Sequence, residues 1–204
     1  MGRPQTDFRI SAEATPSIRQ QRHLLTLAHE GAPGWPALLP QRQRVRGLAG
    51  ILSGLPRAAT CRVTAWDGSR LVGLLLAETN RGRSAGLAQR LWHSWHWPAR
   101  LPDPLRRLLA SPAYQRPTAH DGYVLAVAVH PDWQGQHIGL RLVQTLCHRD
   151  PALTWLAHTD HAGSQALFQR AGFEGIMRIA VEGLTIHTVR GSGPDITRDC
   201  RQMP

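Results

Sequence analysis

Two spacings of apolar residues alternate along the chain, one of about two and one of three to four, which predicts strands interleaved with amphipathic helices. Cys61 to Trp66 and Arg70 to Glu78 flank Asp67-Gly68, a dipeptide suited to a tight hairpin. Val124, Leu125, Val127 and Val129 mark a strand over residues 122–129, and His130-Pro131-Asp132 ends it, since proline cannot continue a strand interior. Ile138, Leu142, Val143 and Leu146 then recur at helical spacing. Thr154 to His158 is a further strand, and Ser164 to Phe173 reads as a helix stopped by a glycine cap at Gly172. Ala180 to Arg190 closes the sheet around a turn at Glu182-Gly183. Upstream, Thr6 to Ser11 is a strand, Pro16 to Glu30 a helix begun by a Thr15 cap, and Pro40 to Leu55 a helix carrying Arg42, Arg44 and Arg46. Residues 191–204 have little apolar content and are expected to form a poorly ordered tail.

Between the strand ending at Val129 and the helix beginning near Ile138 lies Gln134-Gly135-Gln136-His137-Ile138-Gly139. Successive backbone N–H groups in such a loop, next to the positive end of a helix dipole, suit a pyrophosphate. A glycine-spaced loop on its own also serves simply to turn a chain.

Strand, Q-x-x-x-x-G loop, helix, strand, and then a helix ending in Gly172-Phe173 together resemble the coenzyme-A half of the GNAT superfamily of N-acetyltransferases, over residues 121–190 and, in pattern only, 60–80. The resemblance implies an α/β fold with a mixed, mostly antiparallel central sheet of six to seven strands flanked by helices. It implies acetyl-CoA as co-substrate, the backbone of Val127, Ala128 and Val129 pairing with the pantetheine arm, and Gln134, Gly135, Gln136, His137, Ile138, Gly139 and Leu140 around the pyrophosphate. A strand amide would meet the charge that develops on the thioester oxygen. His137 departs from the family's R/Q-x-x-G-x-G/A loop by replacing its first glycine. If the loop needs positive φ there, histidine costs on the order of 1 kcal/mol.

Length and composition fit a single domain over residues 1–190. The segment 79–120 departs from the family plan by placing a long insertion between the third and fourth strands. A connection of that length is rarely structureless in a compact domain. Trp92, Trp95 and Trp97 on it are candidates for an acceptor-pocket wall, with ordinary core packing as the alternative. Antibiotic-inactivating members of the family carry a similar insertion. There is no secretory signal and no membrane-spanning run. The scattered Cys61, Cys147 and Cys200 argue for a reducing compartment, so a cytoplasmic location is expected.

The formal net charge is +10, and all 24 basic residues are arginine. Coenzyme A is one anionic partner that such a chain would attract. Codon bias, a nucleic-acid or other acidic acceptor, and avoidance of lysine self-acylation remain open as reasons for the excess. The oligomeric state is also open, with a homodimer one option.

Acetyl transfer needs a neutral amine and a proton for the departing thiolate. Relatives place an acid tyrosine where this chain has Phe168, which has no proton to give. Ser164, one turn earlier on the same face, is the substitute candidate. For the base, the family position falls on Tyr123, with Glu78 ending the neighbouring strand. A second family position, used on protein N-termini, falls on Leu156, which argues against such a substrate. His158 lies two residues further on the same side, beside Asp160 and His161. His93 and His96 lack carboxylate or cysteine partners, so no metal is expected. The expected activity is therefore transfer of acetyl to a primary amine of a small molecule by direct attack in a ternary complex. Acylation of a peptide, protein or aminoacyl-tRNA, and a catalytically degenerate coenzyme-A-binding module, are the alternatives.

Overall fold

Burial along the strands shows which of them lie centrally. Residues Leu71 to Glu78 are buried without a break, as a strand covered on both faces must be. The computed structural model describes residues 8–29, 59–79, 121–181 and 184–192. Its strands are β1 (Arg9–Ser11), β2 (Cys61–Asp67), β3 (Arg70–Thr79), β4 (Asp121–Val129), β5 (Thr154–Thr159), β6 (Glu174–Val181) and β7 (Leu184–Ser192). They form one seven-stranded sheet in the order β1-β2-β3-β4-β5-β7-β6. Every neighbouring pair is antiparallel except β4 and β5. The helices among the described residues are α1 (Ile18–His29), α2 (Ile138–Arg149) and α3 (Ala162–Arg170). This is the mixed, mostly antiparallel α/β sheet that the sequence leads one to expect.

Local chemistry explains most of the element ends. Gly68 takes φ 56° in the β2–β3 hairpin. Gly172 takes φ 87°, and the Phe173 N–H donates to the Phe168 carbonyl at 2.9 Å, the closing bond of a glycine-capped helix. Several boundaries differ from the sequence pattern: β6 begins at Glu174 rather than Ala180, β7 runs to Ser192, so that Gly191 and Ser192 of the expected tail pair with β5, and two helices start elsewhere. Helix α1 starts at Ile18 and is capped by Ser17, not Thr15. The Ser17 hydroxyl accepts from the Gln20 N–H at 3.2 Å, while the Gln20 side chain accepts from the Ser17 N–H at 2.9 Å. Helix α3 runs from Ala162 to Arg170, two residues earlier than expected at its start, because His161 serves as its N-cap and accepts from Ser164 N–H.

The sheet separates two apolar layers. On one face α2 buries Ile138, Leu142, Val143 and Leu146 against Val63, Val72, Leu75 and Trp155. On the other, Leu24 and Leu25 of α1 pack on Leu74, Leu76 and Ala128. Between β4 and β5 the pairing lasts only three residues, Asp121↔Thr154, Gly122↔Trp155 and Tyr123↔Leu156. Gly122 permits that contact, since a Cβ there would lie 2.4 Å from the Trp155 ring. Just beyond, the β3–β4 register slips between Leu76/Ala126 and Ala77/Val124, leaving Leu125 as an extra residue on β4. Such a bulge bends its strand. From that point β4 and β5 are no longer paired, and a cleft opens between them.

Candidate active site

The cleft has a volume of about 820 Å³ and is lined by both diverging strands and by the N-terminal turns of α2 and α3. One wall is peptide backbone. The His130 N–H donates to the Val72 carbonyl on β3 at 2.8 Å. Strand alternation therefore directs the peptide groups of Ala128 to β3 and those of Val127 and Val129 towards the cleft. Of the three residues expected to meet a pantetheine arm, two present their backbone to the open side. Gln134 Nε2 donates to the Val129 carbonyl at 3.3 Å, tying the start of the loop to the end of the strand.

The loop that follows turns through left-handed positions at Gly135 (φ 81°) and His137 (φ 59°), the latter the one non-glycine residue with positive φ among those described. His137 is the N-cap of α2, and its side chain makes no capping bond. The Arg141 N–H donates to the His137 carbonyl at 3.0 Å, but among the described residues no protein acceptor takes the N–H groups of residues 135 to 140. Six consecutive donors at the positive end of a helix make a pocket for an anion. A Cβ at Gly135 would meet nothing within 4 Å, so a ligand has room there. Strain at His137 is thus spent in holding the N–H groups together. Trp133 forms a rigid edge to this wall, with the Arg70 guanidinium 4.4 Å above its ring and the His130 ring against it at 4.8 Å. Its part was not legible in the sequence, because Arg70 reaches it only through the β3–β4 register.

The opposite wall is made of side chains. Tyr123, Leu156 and His158 share the α1 face of the sheet. The Tyr123 hydroxyl and His158 Nδ1 lie 2.7 Å apart, with ring centroids separated by 5.4 Å. Tyr123 is buried, whereas His158 lines the cleft. Glu78 stands opposite Tyr123 in the β3–β4 ladder and is buried, which pushes its carboxyl above the ordinary range. The structure thus brings three of the four candidate catalytic residues onto one face. Ser164 lies on the other side of the cleft, and its hydroxyl donates to the His161 carbonyl at 3.0 Å within the α3 cap. Phe168 is buried against Phe173, so the position expected for an acid tyrosine is apolar packing. Asp160 and His161 also line the cleft, as does Ala28 of α1, so that the space continues across the splay to the α1 face.

Trp92, Trp95, Trp97, His93, His96, the helix expected over 40–55, Cys200 and the tail beyond Ser192 lie outside the described residues. Cys61 and Cys147 are buried free thiols, and burial pushes Cys147 up to about 11. No group of three or more potential metal ligands occurs among the described residues, and no helix among them is long and apolar enough to cross a membrane.

A model of the acetyltransferase (GNAT) family matches residues 35–173. No curated protein matches the chain. Among solved structures, Drosophila melanogaster polyamine N-acetyltransferase, which forms N-acetylagmatine, superposes with a TM-score of 0.63 at 15% identity, covering 91% of this chain and 100% of that one. A histone acetyltransferase HPA2 and related acetyltransferase from Corynebacterium glutamicum gives 0.61 at 14% identity, over 93% and 98% of the two chains. An N-acetyltransferase from Staphylococcus aureus gives 0.56 at 13%, over 90% and 100%. At these identities the likeness is one of fold.

Proposed function

Since the chain belongs to the GNAT family of acetyltransferases, we propose that it moves acetyl from acetyl-CoA to a primary amine of a small molecule, by direct attack while both substrates are bound. The supporting observation is the continuous cleft, which joins the N–H cradle of residues 135–140 to the Tyr123–His158 pair across the β4–β5 splay. Donor and acceptor can meet only where these two walls approach each other.

Acetyl-CoA supplies an acetyl thioester and departs as the thiol. The chain's own residues bind and orient. The N–H groups of residues 135 to 140 hold the pyrophosphate, and the peptide groups of Val127 and Val129 hold the arm in strand-like register. His158 receives the proton that the amine must lose. It does so at Nε2, so the neutral ring carries its proton on Nδ1 and donates it to the Tyr123 hydroxyl oxygen, a bond that the cationic ring keeps. Ser164 is a candidate to protonate the thiolate, once its hydroxyl turns away from the His161 carbonyl. Trp92, Trp95 and Trp97 are proposed to wall the acceptor, because the ends of their segment, Thr79 and Asp121, stand beside Glu78 and Tyr123.

The test is acetyl-CoA turnover against a panel of primary amines, peptides and aminoacyl-tRNA, followed by thiol release and product mass. Amine-dependent release with intersecting initial-rate plots is expected. Parallel plots would contradict direct attack, preferential acylation of the macromolecules would contradict a small acceptor, and acetyl-CoA binding without any turnover would mark a degenerate module.

A further inference from the structure

Arg70, His130 and Trp133 form a stack at the edge of the donor wall. Arg70 Nη2 lies 2.8 Å from His130 Nε2, and the guanidinium sits 4.4 Å over the Trp133 ring, which the His130 ring meets edge-on at 4.8 Å. Trp133 lines the cleft beside Gln134 and Gly135, whereas Arg70 and His130 line a hollow of about 160 Å³ on the α1 side. The stack therefore joins the wall of the cleft to groups outside it. A guanidinium can only donate, so His130 Nε2 must be the unprotonated nitrogen. The one proton of the neutral ring is then on Nδ1, 3.7 Å from the Asp132 carboxylate. The Asp132 N–H also points at Nδ1, at 3.2 Å, and gives way to the shorter, charge-assisted bond from Arg70.

A second proton can enter that ring only at Nε2, where it meets the guanidinium. The bond to Arg70 is then lost, and two cations face each other at contact. Burial is the largest influence against this proton, Arg70 and His23 of α1 add to it, and Asp132 opposes them, so that His130 titrates below the ordinary histidine value. Arg70 is exposed and stands opposite Asp67 in the β2–β3 ladder, which gives it room and another partner once it is repelled. Resting on the acetyl-CoA reading of the cleft, we propose that Arg70 is a positioning residue for the donor site. Anchored by neutral His130, it holds Trp133, and through it the start of the N–H loop, in the geometry that binds acetyl-CoA; protonation of His130 releases it. The sign of the effect separates positioning from plain attraction. Acetyl-CoA is an anion, so an added positive charge on His130 would by itself tighten binding, whereas loss of the stack weakens it.

The experiment is calorimetric titration of acetyl-CoA at about pH 8 and about pH 5, on either side of the histidine range. His130→Gln is the reference, because its amide oxygen can accept from Arg70 at both pH values. Subtracting its pH dependence removes the titration of the acetyl-CoA phosphates and of the other histidines. On acidification the parent protein should lose about fivefold or more in affinity beyond the loss in His130→Gln, a coupling at the low end of that between linked sites. Arg70→Ala should bind more weakly than the parent at the higher pH and show no such excess on acidification, and Arg70→Lys should recover part of the lost affinity. If His130→Gln fails to fold, the excess is read against Arg70→Ala instead. A parent protein whose affinity changes with pH no more than the reference would overturn the proposal. So would one that tightens on acidification relative to it, which would reduce the cluster to plain attraction. A parent protein that binds acetyl-CoA at neither pH would overturn the acetyl-CoA reading beneath the proposal.

Discussion

On the α2 side of the cleft the groups available to a ligand are the peptide N–H groups of residues 135 to 140, whereas on the α1 side it is the side chain of His158, held from behind by buried Tyr123. A backbone wall depends on conformation, so it tolerates a histidine where relatives carry glycine, provided φ stays positive. A side-chain wall depends on identity and register. Here the register comes from one parallel ladder of three residue pairs, seated where Trp155 packs on Gly122.

Changing the side-chain wall should separate the two most sharply. His158→Ala is expected to lower kcat by about 100- to 10,000-fold, as loss of a general base does, with Tyr123→Phe well short of that. Acetyl-CoA affinity and melting temperature should stay close to the parent values in both. Equal loss of acetyl-CoA binding would mean that the walls are not independent.

A change beneath both walls should instead damage them together. Gly122→Ala forces a methyl group into the Trp155 ring, which is fully buried and has no space to retreat. Overpacking of this kind costs about 1 to 3 kcal/mol, which thermal or urea unfolding will register. A variant of unaltered stability would show that the short β4–β5 ladder is set by something other than this contact.

The smallest effect belongs to the strained residue of the backbone wall. His137→Gly relieves a left-handed histidine and should be neutral or stabilising by up to about 1 kcal/mol, with acetyl-CoA affinity retained. A marked loss of affinity would give the imidazole a role in binding that its position as an uncapped N-cap does not require.

The same contrast governs what the sequence revealed. Asp67-Gly68, Gly172 and the Gln134 to Gly139 spacing are local signals, because each names a residue type that its own backbone conformation demands, and the hairpin, the helix stop and the loop all lie there. The Ser17/Gln20 capping box was equally local, but Pro16 and Thr15 offered a competing start two residues earlier. The bulge at Leu125 carries no composition signal, and the Tyr123–His158 bond depends on which strand lies beside β4, a property of topology. Ser164 was legible as a helix residue facing the cleft, yet its bond to the His161 carbonyl follows from a cap two residues earlier than the pattern indicated.

The most direct test of the account is calorimetric titration of acetyl-CoA into the parent protein, Gly135→Pro and Gly139→Asp. Proline cannot adopt the φ of 81° at position 135, and an aspartate at 139 sets negative charge among the donors while the tightest contact of its Cβ is the end of the Leu167 side chain at 3.3 Å. Both variants should fold, and both should lose acetyl-CoA binding. Unchanged affinity in the two folded variants would contradict the N–H cradle, and with it the placement of the donor substrate on which the rest of the site depends.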